Sequence, residues 1–128
     1  MKKLYTFCFL LIGLQVLAQD LVIETFSEAH HSGANTISEN FNFPDDVSNF
    51  SKIEMRISLT CPTGGCDPWD RIAWIHLHTP ENTFEIGRYA TPYGNDWCSW
   101  VIDVTDYRLL LKNEVSLSSY IETWDKGW

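Results

Sequence analysis

From Lys52 to Leu59 the polar residues Lys52, Glu54, Arg56 and Ser58 alternate with the apolar residues Ile53, Met55, Ile57 and Leu59. A period of two sends the two sets to opposite sides of an extended chain, so the stretch is predicted to be a strand with one face buried. The same signature recurs at Ala73, Ile75 and Leu77 against Trp74, His76 and His78. Leu21 to Phe26 is a short β-type run, and Ile37, Phe41 and Phe43 mark a strand that stops at Pro44-Asp45-Asp46. Phe84 to Tyr89, Trp97 to Val104 and Val115 to Trp124 follow turn-forming segments at Thr79-Pro80-Glu81-Asn82, Thr91-Pro92-Tyr93-Gly94-Asn95 and Lys112-Asn113. One helical turn is predicted, from Tyr107 to Leu111 with Asp106 as its cap. Seven strands with so little helix predict an all-β fold, an antiparallel sandwich or jelly roll.

The first residues follow a different rule. Met1-Lys2-Lys3, the apolar stretch Leu4 to Leu17 and the small-residue exit at Val16-Leu17-Ala18 have the build of a secretory signal, predicted to occupy residues 1–18. The apolar run is short for a membrane span, and Cys8 lacks the small residues that precede a lipoprotein cleavage site. Residues 19–128 are then one exported domain, secreted or periplasmic, with about 110 residues for a single modest core. Neither an internal repeat nor a linker divides them.

Charge narrows the partners. The chain carries 9 Lys plus Arg against 17 Asp plus Glu, a formal net charge of −8, and losing Lys2 and Lys3 with the signal makes it more acidic. Such a surface repels phosphate backbones and anionic lipid, so neither nucleic acid nor a membrane is an expected partner. Three cysteines follow the signal. In an oxidising compartment Cys61 and Cys66 are expected to form a disulfide, since a zinc site would need two further ligands that the spacing does not offer. Cys98 is left either as a buried thiol or as half of a bridge to another chain.

The candidate chemistry lies in Cys61-Pro62-Thr63-Gly64-Gly65-Cys66-Asp67-Pro68-Trp69-Asp70-Arg71, where a short loop delivers acids, an aromatic and a base to the start of an apolar strand. This segment is joined in order by Glu85-Ile86-Gly87-Arg88-Tyr89-x-Thr91-Pro92-Tyr93, Ile102-Asp103-Val104-Thr105-Asp106-Tyr107 and Glu122-Thr123-Trp124. Together with Phe41-x-Phe43-Pro44-x-Asp46-Val47, these motifs resemble the N-terminal domain of the bacterial peptide-N-glycosidase F family. The resemblance implies half of a two-jelly-roll amidase whose site lies in the cleft between its domains. It implies hydrolysis of the amide between asparagine and the first N-acetylglucosamine of an N-linked glycan on a glycoprotein or glycopeptide.

Carried over by motif, Asp70 matches the acid that activates the attacking water, and Glu122 matches a second carboxylate that positions substrate. Trp69, Arg71 and Trp124 match residues that shape the sugar pocket. Tryptophan faces suit the apolar faces of sugar rings, and Arg71 beside Asp70 is expected to favour the ionised carboxylate. No cofactor is implied. The chain departs from the family where Pro68 replaces an acid. It also ends at Trp128, which implies a jelly roll short of its last strand and without the second, C-terminal jelly-roll domain that would complete the site; this chain alone is then expected to be inactive.

Two rival readings differ in class. A jelly roll is also a common lectin scaffold, so the chain is alternatively a non-catalytic glycan-binding module. His76 and His78, at i and i+2 on one strand, point the same way and fit a copper monooxygenase-like domain if His30 or His31 supplies a third ligand.

Overall fold

The computed structural model describes residues 20–124 and 126–128. The expected signal segment, with Cys8, lies outside the described residues. The described residues form six strands: β1 Thr36–Asn42, β2 Glu54–Thr60, β3 Ile72–His78, β4 Thr83–Ala90, β5 Trp97–Asp103 and β6 Glu114–Ile121. They pair antiparallel as a four-stranded sheet in the order β1-β6-β3-β4 and a two-stranded sheet of β2 and β5. The fold is an all-β jelly roll, as the alternating pattern predicts.

The alternation becomes the layering. β3 buries Ala73, Ile75 and Leu77, and β6 buries Val115, Leu117 and Ile121 beside them. Met55, Ile57 and Leu59 of β2 pack onto this face from the other sheet, while Glu54, Arg56, Ser58 and Thr60 are exposed. Removing such side chains from water is the main favourable contribution to the fold.

Close approach of the layers explains one sequence choice. In the β3–β4 register Ile75 pairs with Gly87 and His76 with Glu85, leaving Ile86 as the extra residue of a bulge. A Cβ at Gly87 would collide with the Met55 methyl and stand 3.1 Å from Ile102 Cδ1. Gly87→Ala is therefore expected to overpack the inter-sheet contact and cost about 1–2 kcal/mol, read as a lower urea midpoint at unchanged m-value.

Two expected elements differ. Leu21 to Phe26 is not a strand: no sheet edge takes up its backbone, Leu21 and Val22 are exposed, and the segment is anchored by Phe26, whose ring meets Phe41 edge-on at 5.0 Å. A β-type composition becomes a strand only where a ladder partner accepts its hydrogen bonds. The helical turn is a 3₁₀ turn at Thr105–Tyr107, starting two residues earlier than expected, with Asp106 inside its first turn. Asp103 holds the entry instead, its Oδ1 accepting from the Thr105 amide at 3.0 Å.

The two-stranded sheet leaves part of the larger sheet's inner face open. A hollow of about 680 Å³ runs between them, floored by Ile75 and Leu117 and walled by Met55, Ile57 and Phe26. The candidate site lies elsewhere, beyond the ends of β3 and β6.

Candidate functional site

The cysteine loop begins as β2 ends. Pro62 to Gly65 is a tight turn closed by the Gly65 amide on the Pro62 carbonyl at 3.0 Å, and its two glycines hold φ of 103° and 95°. Glycine is the residue that reaches such angles without strain. The turn brings Cys61 and Cys66 to a Cα separation of 4.9 Å, where they form the expected disulfide. Cys98 is a free thiol on β5, and burial pushes its pKa up to about 11.

The loop next buries a carboxylate. Asp67 is 2% exposed; its Oδ1 accepts from the Trp69 amide at 3.0 Å and its Oδ2 from Arg71 Nε at 2.8 Å. The Trp124 backbone amide also lowers its pKa. Burial by itself raises the Asp67 pKa, but the Arg71 hydrogen bond, the Trp69 amide, the Arg71 charge and the Trp124 amide outweigh it and hold the carboxyl below its ordinary value. This corrects one expectation: Arg71 forms its ion pair with Asp67, not with Asp70. The i,i+4 spacing of Asp67 and Arg71, with a backbone amide two residues on, was the available signal for the pair.

Around this hub stand the aromatics. The Arg71 guanidinium carbon lies 5.0 Å from the centre of the Trp124 ring, within cation–π range. Trp69 and Trp124 are 55% and 68% exposed, and both line a hollow of about 560 Å³ together with Asp67, Arg71 and Lys126. Aromatics this exposed are not part of the core.

Asp70 and Glu122 lie at the same end of neighbouring strands. Ala73 pairs with Ile121, and the Glu122 amide donates to the Ile72 carbonyl at 3.0 Å, so Glu122 sits one residue past β6 and two residues along from Asp70. At about 3.3 Å per strand residue, that is a step of roughly 7 Å along the chain. Asp70 is exposed and Glu122 half-buried, and among the described residues neither carboxylate has an ion-pair partner. Trp69, Asp70, Arg71, Glu122 and Trp124 therefore lie at one end of the sheet, while Asp70 and Glu122 are not among the residues lining the hollow.

The histidines are not collected. His78 has both ring nitrogens engaged, Nδ1 with Thr83 Oγ1 at 3.0 Å and Nε2 with Ser118 Oγ at 2.7 Å. His31 is buried with Nε2 on Ser119 Oγ at 3.0 Å. Ser118 and Ser119 are adjacent on β6 and face opposite sides of the sheet, so His31 is on the inner side, away from His76 and His78. His30 is exposed on the neighbouring loop, and among the described residues no group of three His, Cys, Asp or Glu is placed to hold a metal ion.

No protein-family model matches the chain. Peptide-N(4)-(N-acetyl-beta-D-glucosaminyl)asparagine amidase F of Elizabethkingia miricola is 36% identical over 118 aligned positions, covering 80% of this chain. The chain is homologous to peptide-N-glycosidase F. It spans 32% of that relative's length. Two solved structures agree: recombinant N-glycanase F matches with a TM-score of 0.72 and 32% identity, over 81% of this chain and 36% of that one. PNGase F, described as a glycosylasparaginase from Flavobacterium meningosepticum, matches with a TM-score of 0.71 and 30% identity, over 81% of this chain and 37% of that one. The chain is thus a glycoamidase-related jelly roll corresponding to about a third of peptide-N-glycosidase F.

Proposed function

We propose that this domain supplies the water-activating part of an exported glycoamidase, which cleaves the amide between asparagine and the first N-acetylglucosamine of N-linked glycans. The observation that carries the reading is the division of labour between the two loop aspartates. Asp67 is buried and ion-paired to Arg71, whereas Asp70, three residues on, is exposed and without an ion-pair partner among the described residues. A carboxylate already committed to a guanidinium is a poor acceptor for a water proton; an exposed one between Trp69 and Arg71, which both line the hollow, is available.

In this mechanism Asp70 takes a proton from water as the oxygen attacks the glycosylated amide carbon. The carbon–nitrogen bond then breaks as Asp70 returns that proton to the nitrogen, leaving aspartate on the peptide and a glycosylamine on the sugar. Glu122 accepts hydrogen bonds from substrate and sets its position against Asp70. Trp69 and Trp124 pack on sugar faces, and Arg71 keeps Trp124 in place through the contact between guanidinium and ring. The reaction also needs an oxyanion donor, and Arg71 gives its Nε to Asp67. That donor, and the rest of the cleft, come in this reading from sequence outside the matched third, in the same protein or in a partner domain. A disulfide in the site loop suits an oxidising, exported location.

The test is direct. Incubating the full-length protein with an N-glycopeptide in heavy-oxygen water is expected to release glycan and leave a peptide aspartate carrying one heavy oxygen. Glycan affinity without any release favours the binding-module reading, which the exposed Trp69 and Trp124 also fit. Neither release nor affinity removes the domain from glycan chemistry altogether.

A further inference from the structure

We infer that Thr91 is the positioning residue for Asp70, an inference that rests on Asp70 being the water-activating carboxylate. Asp70 precedes β3 and lies outside regular structure, so strand pairing does not fix its conformation. A single atom does so instead. Thr91 Oγ1 accepts from the Arg71 amide at 2.8 Å and donates to the Trp69 carbonyl at 3.0 Å. The Trp69 carbonyl belongs to the peptide plane before Asp70 and the Arg71 amide to the plane after it. With peptide groups planar, the two soft torsions of Asp70 are those that relate these planes, and both planes are tied to one hydroxyl.

The hydroxyl is suited to the task. It has one proton to give and lone pairs to receive, so it serves a donor and an acceptor at once, with the two bonds in series. Thr91 itself is anchored: its amide donates to the Arg71 carbonyl at 2.9 Å, extending the β3–β4 pairing of Ile72 with Ala90 by one residue. At 2% exposure, water does not compete for the oxygen. The following segment adds a second tie, since the Gly94 amide donates to the Pro68 carbonyl at 3.0 Å. The loop after β4 therefore holds the loop before β3, and the hydroxyl is the contact that acts on Asp70 itself.

Thr91→Val keeps the shape and removes the hydroxyl; Thr91→Ser keeps the hydroxyl and removes the methyl. In glycan release by the full-length protein, well below its melting temperature, Thr91→Val is expected to lower kcat by about tenfold to a hundredfold, with KM within about twofold. Thr91→Ser is expected to restore most of kcat. A Thr91→Val protein with wild-type kcat, or a Thr91→Ser protein as impaired as Thr91→Val, overturns the inference. Amide hydrogen exchange at Arg71 gives a readout independent of activity: Thr91→Val is expected to speed it at least about tenfold, and unchanged exchange overturns the clamp. If the wild-type protein releases no glycan, the amidase reading fails while the exchange result still decides whether Thr91 holds this backbone.

Discussion

Asp70→Asn is expected to slow glycan release at least about a hundredfold without unsettling the fold. Asparagine has the size of aspartate but no basic carboxylate, so the attacking water loses its proton acceptor. Removing a positioned general base costs roughly a hundredfold to ten-thousandfold in rate, and kcat should fall within that range while KM changes little. Because Asp70 is exposed and outside the ion pairs among the described residues, the substitution should shift stability by no more than about 0.5 kcal/mol. The two measurements belong together. A fall in kcat with an unchanged urea midpoint assigns the loss to chemistry; normal turnover in the variant contradicts the assignment of Asp70 outright.

The different fates of Asp67 and Asp70 also show what was legible in the sequence. The alternation in β2 and β3 gave their buried faces correctly, because a period of two has one geometric meaning once a core exists. Leu21 to Phe26 carried the same composition and formed no strand, since nothing within that stretch records whether a sheet edge is available to it. The site was legible as a set of residue types at one end of the chain's motifs, but the partners were not. Asp70 adjoins Arg71 in sequence, yet successive residues of an extended chain point to opposite sides, and the guanidinium turned back to Asp67. Thr91 was invisible for another reason. A threonine at a strand end is ordinary, and its role arises only when two loops twenty residues apart are folded together.

Asp67→Asn is expected to be the most destabilising polar substitution in the site. The amide oxygen can still accept from the Trp69 backbone, but Arg71, only 17% exposed at its side chain, keeps a guanidinium whose counter-charge is gone. Breaking a largely buried ion pair by removing one partner costs about 3 kcal/mol, and more where less water reaches the orphaned charge. The damage should reach the aromatics: freed from Asp67, the guanidinium no longer stays over Trp124, and tryptophan fluorescence should report a changed hollow. Replacing Arg71 as well, as Asp67→Asn with Arg71→Met, should recover part of the lost stability because the uncompensated charge is removed with it. The pH dependence follows from the depressed pKa of Asp67. Its contribution is fully present above the unfolded aspartate pKa of about 3.9, and it is lost as pH falls through the lower folded value, where the neutral acid no longer balances Arg71. Urea unfolding at neutral pH and at successively lower pH should therefore show the wild type losing its advantage over Asp67→Asn in that acid window. A constant difference between the two at every pH would mean that the Asp67 charge contributes nothing to holding the site together.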